Sequence, residues 1–199
     1  QHSIDGGSLK FDYFSPDEKN RLSIFASAAN TDRDSYYGPG NDPLKAYGKT
    51  TDLTAMGGAQ YVHTFDKCFF MPSDLTAGLE YNRDRLKDNM WGYDRHTDQT
   101  VNIYSAFLQN EWKNDRWGIL IGGRLDKHNM VDNVIFSPRA NLRFNPTQNI
   151  NLRLSYSSGF RAPQAFDEDL HVENVGGNVA MVELAKDLKE ERSQSLSAS

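Results

Sequence analysis

The chain has 199 residues, a formal charge of -5, a sequence isoelectric point near 5.5 and a mean hydropathy of -0.69. That acidic balance argues against a nucleic-acid partner, which favours a basic surface, and no apolar run approaches the roughly 20 residues that a membrane helix needs. The lone Cys68 excludes an internal disulfide, and no CxxC or zinc-type spacing is present.

In chain order, the first strand is expected over Ser8 to Phe14, where Leu9, Phe11 and Tyr13 share one face. A short turn, Ser15 to Asn20, leads to a second strand marked by Leu22, Ile24, Ala26 and Ala28. A long connection, Thr31 to Asp52, carries Tyr36, Tyr37 and Tyr47, and a third strand runs on to about Phe65. After a compact turn near Asp66 to Pro72, Leu75, Ala77, Leu79 and Tyr81 oppose Thr76, Gly78, Glu80 and Asn82 in a fourth strand. A second long polar connection is expected over Arg83 to Thr97, with Trp91, Tyr93, Arg95 and His96 in it.

The fifth strand, about Thr100 to Trp112, has mixed faces, and its apolar side is not assigned. The short turn Lys113-Asn114-Asp115 precedes a sixth strand in which Trp117, Ile119, Ile121 and Leu125 oppose Gly118, Leu120, Gly122, Arg124 and Asp126. A medium connection, Lys127 to Asn133, follows. Phe136 to Phe160 then holds the clearest pattern of the chain. Phe136, Pro138, Ala140, Leu142 and Phe144 oppose Ser137, Arg139, Asn141 and Arg143, and after the turn Asn145 to Asn149, Ile150, Leu152, Leu154 and Tyr156 oppose Asn151, Arg153, Ser155 and Ser157. The last connection, Arg161 to Glu190, is the longest, with a short helix expected over Val179 to Leu188, before a final strand to Ser199.

About nine strands result, with short and long connections alternating. The pattern predicts an all-β fold: an antiparallel up-and-down transmembrane β-barrel, here a partial barrel with short periplasmic turns and long extracellular loops. Lipid outside and water inside account for one face that ends in aromatics and an opposite face that carries Arg139, Arg143 and Arg153. The alternative is a soluble all-β binding or adhesion module, in which the apolar faces pack on a second sheet. The start at Gln1 and the polar alternating end are read as those of a fragment of a longer protein. Catalysis is not expected: neither GxSxG nor HExxH occurs, and the carboxylate runs Asp167-Glu168-Asp169 and Glu190-Glu191 have no partner suited to acid–base work.

Three passages resemble one family. Phe160-Arg161-Ala162-Pro163 is similar to the FRAP segment that follows a late barrel strand in TonB-dependent receptors, and Leu188-Lys189-Glu190-Glu191-Arg192-Ser193 to the L-x-x-E-x-S stretch that opens the next strand there. Tyr104 to Trp112 followed by Gly122-Gly123-Arg124-Leu125-Asp126 resembles that family's paired strand endings. These motifs lie in the second half of the chain.

The resemblance implies an outer-membrane transporter of a Gram-negative bacterium, with about 22 strands around a plugged lumen. Residues 1–199 would be part of the barrel, without the plug or the TonB box. The implied partners are the TonB complex, through that missing N-terminal plug region, the outer-membrane lipid, and a small-molecule or metal-chelate ligand such as siderophore-iron, cobalamin or haem. No cofactor is implied. Glu80, Arg124, Asp126, Arg139, Arg143 and Arg153 are lumen-lining, plug-facing candidates. Tyr36, Tyr37, Tyr47, Trp91, Tyr93, Arg95 and His96 are candidates for ligand binding from the external loops, although each aromatic taken singly suits a membrane-edge girdle better. The loop residues His96, His128, His171, Met90, Met130 and Met181 are read as exposed or locally packed, with no metal site expected.

Overall fold

A computed structural model describes residues 1–36, 47–164, 173–175, 178–180 and 189–199. The strands are β1 (His2–Phe14), β2 (Asn20–Tyr36), β3 (Tyr47–Cys68), β4 (Met71–Met90), β5 (Arg95–Lys113), β6 (Trp117–His128), β7 (Ile135–Thr147), β8 (Ile150–Arg161), β9 (Glu173–Val175), β10 (Asn178–Ala180) and β11 (Glu191–Ala198). Nine of them form one sheet in the order β1-β2-β3-β4-β5-β6-β7-β8-β11, each antiparallel to its neighbours, while β9 and β10 pair apart. This up-and-down order is the partial barrel wall expected from the alternation. Of the expected helix, Val179 and Ala180 lie in β10, and residues 181–188 fall outside the described ones.

The register gathers apolar residues from all nine strands into rows on one face. Residues that pair across antiparallel strands share a side, so the pairs Leu22–Tyr61, Leu79–Ala106, Leu108–Gly123, Ile121–Ala140, Leu142–Leu154 and Tyr156–Leu196 form continuous rows. Among the described residues no second layer covers this face: Leu9, Leu79, Leu108, Ile121 and Leu196 are all exposed. The soluble module needs a second sheet there. The face is finished at the short-turn end by stacked rings, Trp117 on Phe144 at 4.2 Å and Phe70 on Trp112 at 5.6 Å.

The fifth strand owes its mixed pattern to apolar side chains on both faces. Tyr104, Ala106, Leu108 and Trp112 join the exposed apolar rows, while Val101, Ile103 and Phe107 point the other way. Gly78, directly opposite Phe107 on β4, leaves the room that this ring occupies; a Cβ there would collide with it. Gly58 does the same for Phe25.

The strands outrun the expected boundaries at the long-connection end. β1 starts at His2, β2 reaches Tyr36, β3 starts at Tyr47, and β4 and β5 leave only Trp91–Asp94 between them. The polar stretches expected as connections over Thr31 to Asp52 and Arg83 to Thr97 are therefore largely paired strand. There the alternation inverts, with Leu86, Met90 and Val101 buried on the inward face and polar residues outward, and the backbone ladder continues regardless.

Candidate functional site

The polar face gathers the six lumen-lining candidates. Arg124 pairs with Glu80 across two strands at 2.5 Å and with Asp126 at 2.8 Å, and the Ser105 hydroxyl donates to Asp126 at 2.6 Å. Asp126 is buried, so its charge is held by these donors. Elsewhere on this face Asp12 takes Lys10, Arg21 and Ser23, and Asp74 takes Lys113 and Thr64. Asp12, Asp74, Glu80 and Asp126 are thus matched within the sheet.

Arg139, Arg143 and Arg153 are on the same face by register, through Gly122–Arg139, Gly118–Arg143 and Arg143–Arg153. No carboxylate of the described residues pairs with them. Arg143 donates instead to the carbonyls of Asn114 and Trp117 at 2.9 and 3.3 Å, and Arg153 to Asn151 at 2.7 Å. The sequence foresaw their side of the sheet but not that Arg124 pairs with Glu80 and Asp126 while these three arginines pair with no described carboxylate.

The loop-end candidates do not form one site. Tyr36 and Tyr47 pair across the β2–β3 tip with ring centroids 5.0 Å apart, on the face that carries the apolar rows, not the polar face. Tyr37 lies outside the described residues. Trp91 and Tyr93 make a single 3-10 turn between β4 and β5, closed by Asp94 in the left-handed region. Arg95 and His96 then point to opposite faces. His96 meets Asn89 at 2.9 Å on the outer side. Arg95 bonds Asp88 at 2.9 Å and the Met90 sulfur at 2.9 Å, and Asp88, wholly buried, also accepts from Thr50 at 2.7 Å. Arg95 is therefore part of the support under the Trp91–Tyr93 turn, a role that sequence spacing does not reveal because its partner lies on the preceding strand.

A second such support stands beneath the β6–β7 connection. Buried His128 accepts the Met130 N–H at Nδ1, 3.0 Å, which leaves Nε2 to donate to the Gln164 side chain at 3.0 Å. Gln164 follows the FRAP segment, so the chain leaving β8 is tied back to the end of β6. Met56, Asn82, Val101 and Gln164 share the lining of a cavity of about 650 Å³ over β1 to β5. Sequence reading treated His128 as a loop residue and missed this contact.

At the opposite end, the β1–β2 turn is held by charge. The Ser15 hydroxyl and the Lys19 N–H donate to Asp17 and hold its carboxyl below the usual range, while Asp66 raises the Lys19 ammonium above its own.

Residues 2–199 match the family described as TonB dependent receptor-like, beta-barrel. The chain belongs to the TonB-dependent receptors. Among solved structures, it is similar to the siderophore receptor PirA from Acinetobacter baumannii, at 19% identity and TM-score 0.76, over 99% of this chain and 32% of that one. A mutant of the ferric enterobactin receptor PfeA from Pseudomonas aeruginosa matches at 18% identity and TM-score 0.65, over 81% of this chain and 26% of that one. The unliganded ferric citrate transporter FecA matches at 14% identity and TM-score 0.59, over 80% and 27%. The chain thus spans about a third or less of the length of these receptors, and at such identities the likeness is one of fold. No curated protein matches the sequence.

Proposed function

We propose that this chain is the wall of an outer-membrane receptor that takes up a scarce metal chelate, of the ferric-siderophore kind, in a Gram-negative bacterium, with energy delivered through TonB. The observation that carries the reading is the exposed apolar face continuous over all nine strands of a TonB-dependent receptor barrel. Such a face is stable against lipid and not against water, and the similar structures are a siderophore receptor, a ferric enterobactin receptor and a ferric citrate transporter. In this reading Glu80, Arg124, Asp126, Arg139, Arg143 and Arg153 line the lumen and face a plug contributed by the longer protein. Trp91 and Tyr93 meet ligand at the external rim, and Tyr36 and Tyr47 sit on the outer side of that rim.

The test is uptake of radiolabelled ferric siderophores by iron-starved cells that carry or lack the full-length receptor, each with and without TonB. Uptake that needs both supports the reading. Uptake of every chelate tried that is indifferent to the receptor overturns it.

A further inference from the structure

Above the apolar rows the outer face changes character abruptly. On β4 the outward residues are Leu75, Ala77, Leu79 and Tyr81, and the next three are Arg83, Arg85 and Lys87, with Lys49 of β3 diagonally beyond Lys87. Tyr81 and Tyr104 mark the boundary, their rings 4.9 Å apart and the Tyr81 hydroxyl bonded to Asn102. Successive outward residues of a strand are about 7 Å apart, so the cations stand as a ladder that begins at the last apolar rung.

These charges are poorly matched from within the protein. Only Asp98 approaches, at a long 3.8 Å from Arg85 and 3.6 Å from Lys87, and these side chains are 42% and 46% exposed. Arg83 is exposed and pairs with no described carboxylate, and exposed Lys49 has Asp34 directly opposite on β2 without an ion pair to it. Asp32, on the outward face of β2, is held by Asn30 and Thr51. Of the rungs beside the ladder on β3 and β5, Ala55, Leu53, Thr51, Asn102 and Thr100 carry no charge, and Asp98, opposite Lys87, is the one carboxylate among them.

We infer that Lys49, Arg83, Arg85 and Lys87 form a binding site for the anionic phosphate of a lipid headgroup in the outer leaflet around the receptor. The inference rests on the membrane reading above. Acyl chains against Leu79, Tyr81 and Tyr104 bring the headgroups to the level of the next rungs, where the guanidiniums present paired N–H groups suited to phosphate oxygens. The aromatic boundary fixes the depth of the chain, and the cations select the charge of its head.

The test reconstitutes the full-length receptor in phosphatidylcholine vesicles doped with phosphatidic acid, checks insertion by flotation, and reads phosphatidic acid retained after extraction into mild detergent by native mass spectrometry. The wild type is expected to retain it, and R83Q/R85Q/K87Q about tenfold less or lower, each basic residue adding to attraction for an anionic leaflet. R83Q alone, which removes an unpaired exposed group and no fold contact, is expected to fall between, and K67Q at the short-turn end to match the wild type. Equal retention by the wild type and the cation variants overturns the inference, as does displacement of the lipid by inorganic phosphate alone, which marks a plain anion site. A wild type that does not float with vesicles overturns the membrane reading itself, and the site with it.

Discussion

The belt of the sheet and the extension above it use the same strands with opposite polarity. In the belt, Leu79, Leu108 and Ile121 point outward and are exposed, while Glu80, Gln109 and Arg124 point inward. In the extension, Leu86, Met90, Val101 and Ile135 point inward and are buried, while Arg83, Arg85 and Lys87 point outward. β4 crosses from one regime to the other between Tyr81 and Arg83 without a bulge. In the membrane reading the medium outside the wall decides the outward residue: lipid along the belt, water and headgroups above it. A strand has period 2 in both regimes, and only the phase of its hydrophobicity inverts.

The comparison is broken most severely at the inward polar group of the extension. Asp88→Ala strips Arg95 of its buried carboxylate and Thr50 of its acceptor, and an abandoned buried charge costs about 3–5 kcal/mol. A large drop in the thermal stability of the full-length receptor is expected, with weaker chelate binding as the Trp91–Tyr93 turn loses its support. Unchanged melting would show that the pair is not buried in the intact protein.

The next effect contrasts the two regimes directly. Ile121→Arg, mid-belt, is expected to reduce insertion in an outer-membrane assembly assay, at about 2–4 kcal/mol for a cation facing lipid. Leu152→Arg is expected to cost less, because Leu152 pairs with Phe144 at the interfacial ring row. Thr100→Arg, outward in the extension, is expected to assemble as the wild type does. If all three behave alike, the outer face is not divided into belt and extension.

On the polar face, Arg153→Leu is expected to leave assembly intact while lowering chelate transport, with the ratio of uptake to binding as the measurement. A loss of assembly equal to that of Ile121→Arg would reverse the facing. Smallest is the turn: Asp17→Asn is expected to shift melting slightly and only where the carboxylate is ionised. Because the folded-state pKa of Asp17 is lowered, its contribution is present above the ordinary carboxylate range and is lost as pH falls through the folded value. A difference between wild type and variant that persists at strongly acidic pH would contradict this.

Much of the wall was legible in the sequence. Phe136 to Tyr156 gave the facing of β7 and β8 because the paired outward residues Phe136, Ala140, Leu142, Phe144, Ile150, Leu152, Leu154 and Tyr156 are apolar and the inward Arg139, Asn141, Arg143, Arg153 and Ser155 polar, and that phase carried to the neighbouring strands. The fifth strand resisted because Phe107 and Ile103 are inward. Phe107 is explained only by Gly78, opposite it on β4 and distant in sequence. The strand ends were misplaced for a related reason: Arg83 to Met90 has alternation of the inverted phase, which reads as a polar connection.

The candidate site was less legible. Arg95 and His96 are adjacent in sequence, and two neighbouring strand residues face opposite sides, so they were never one binding group. Asp88 and His128 drew no notice as structural supports, since their value lies in Thr50, Arg95 and Gln164, contacts made by pairing across strands. The sequence by itself determined the class of fold, the facing of the belt and the family resemblance, because alternation is local and follows from where each side chain leaves the backbone. Only the tertiary structure decided how far the strands run, which charges are neutralised within the wall and which cations stand above the apolar rows, because register sets residues tens of positions apart beside one another.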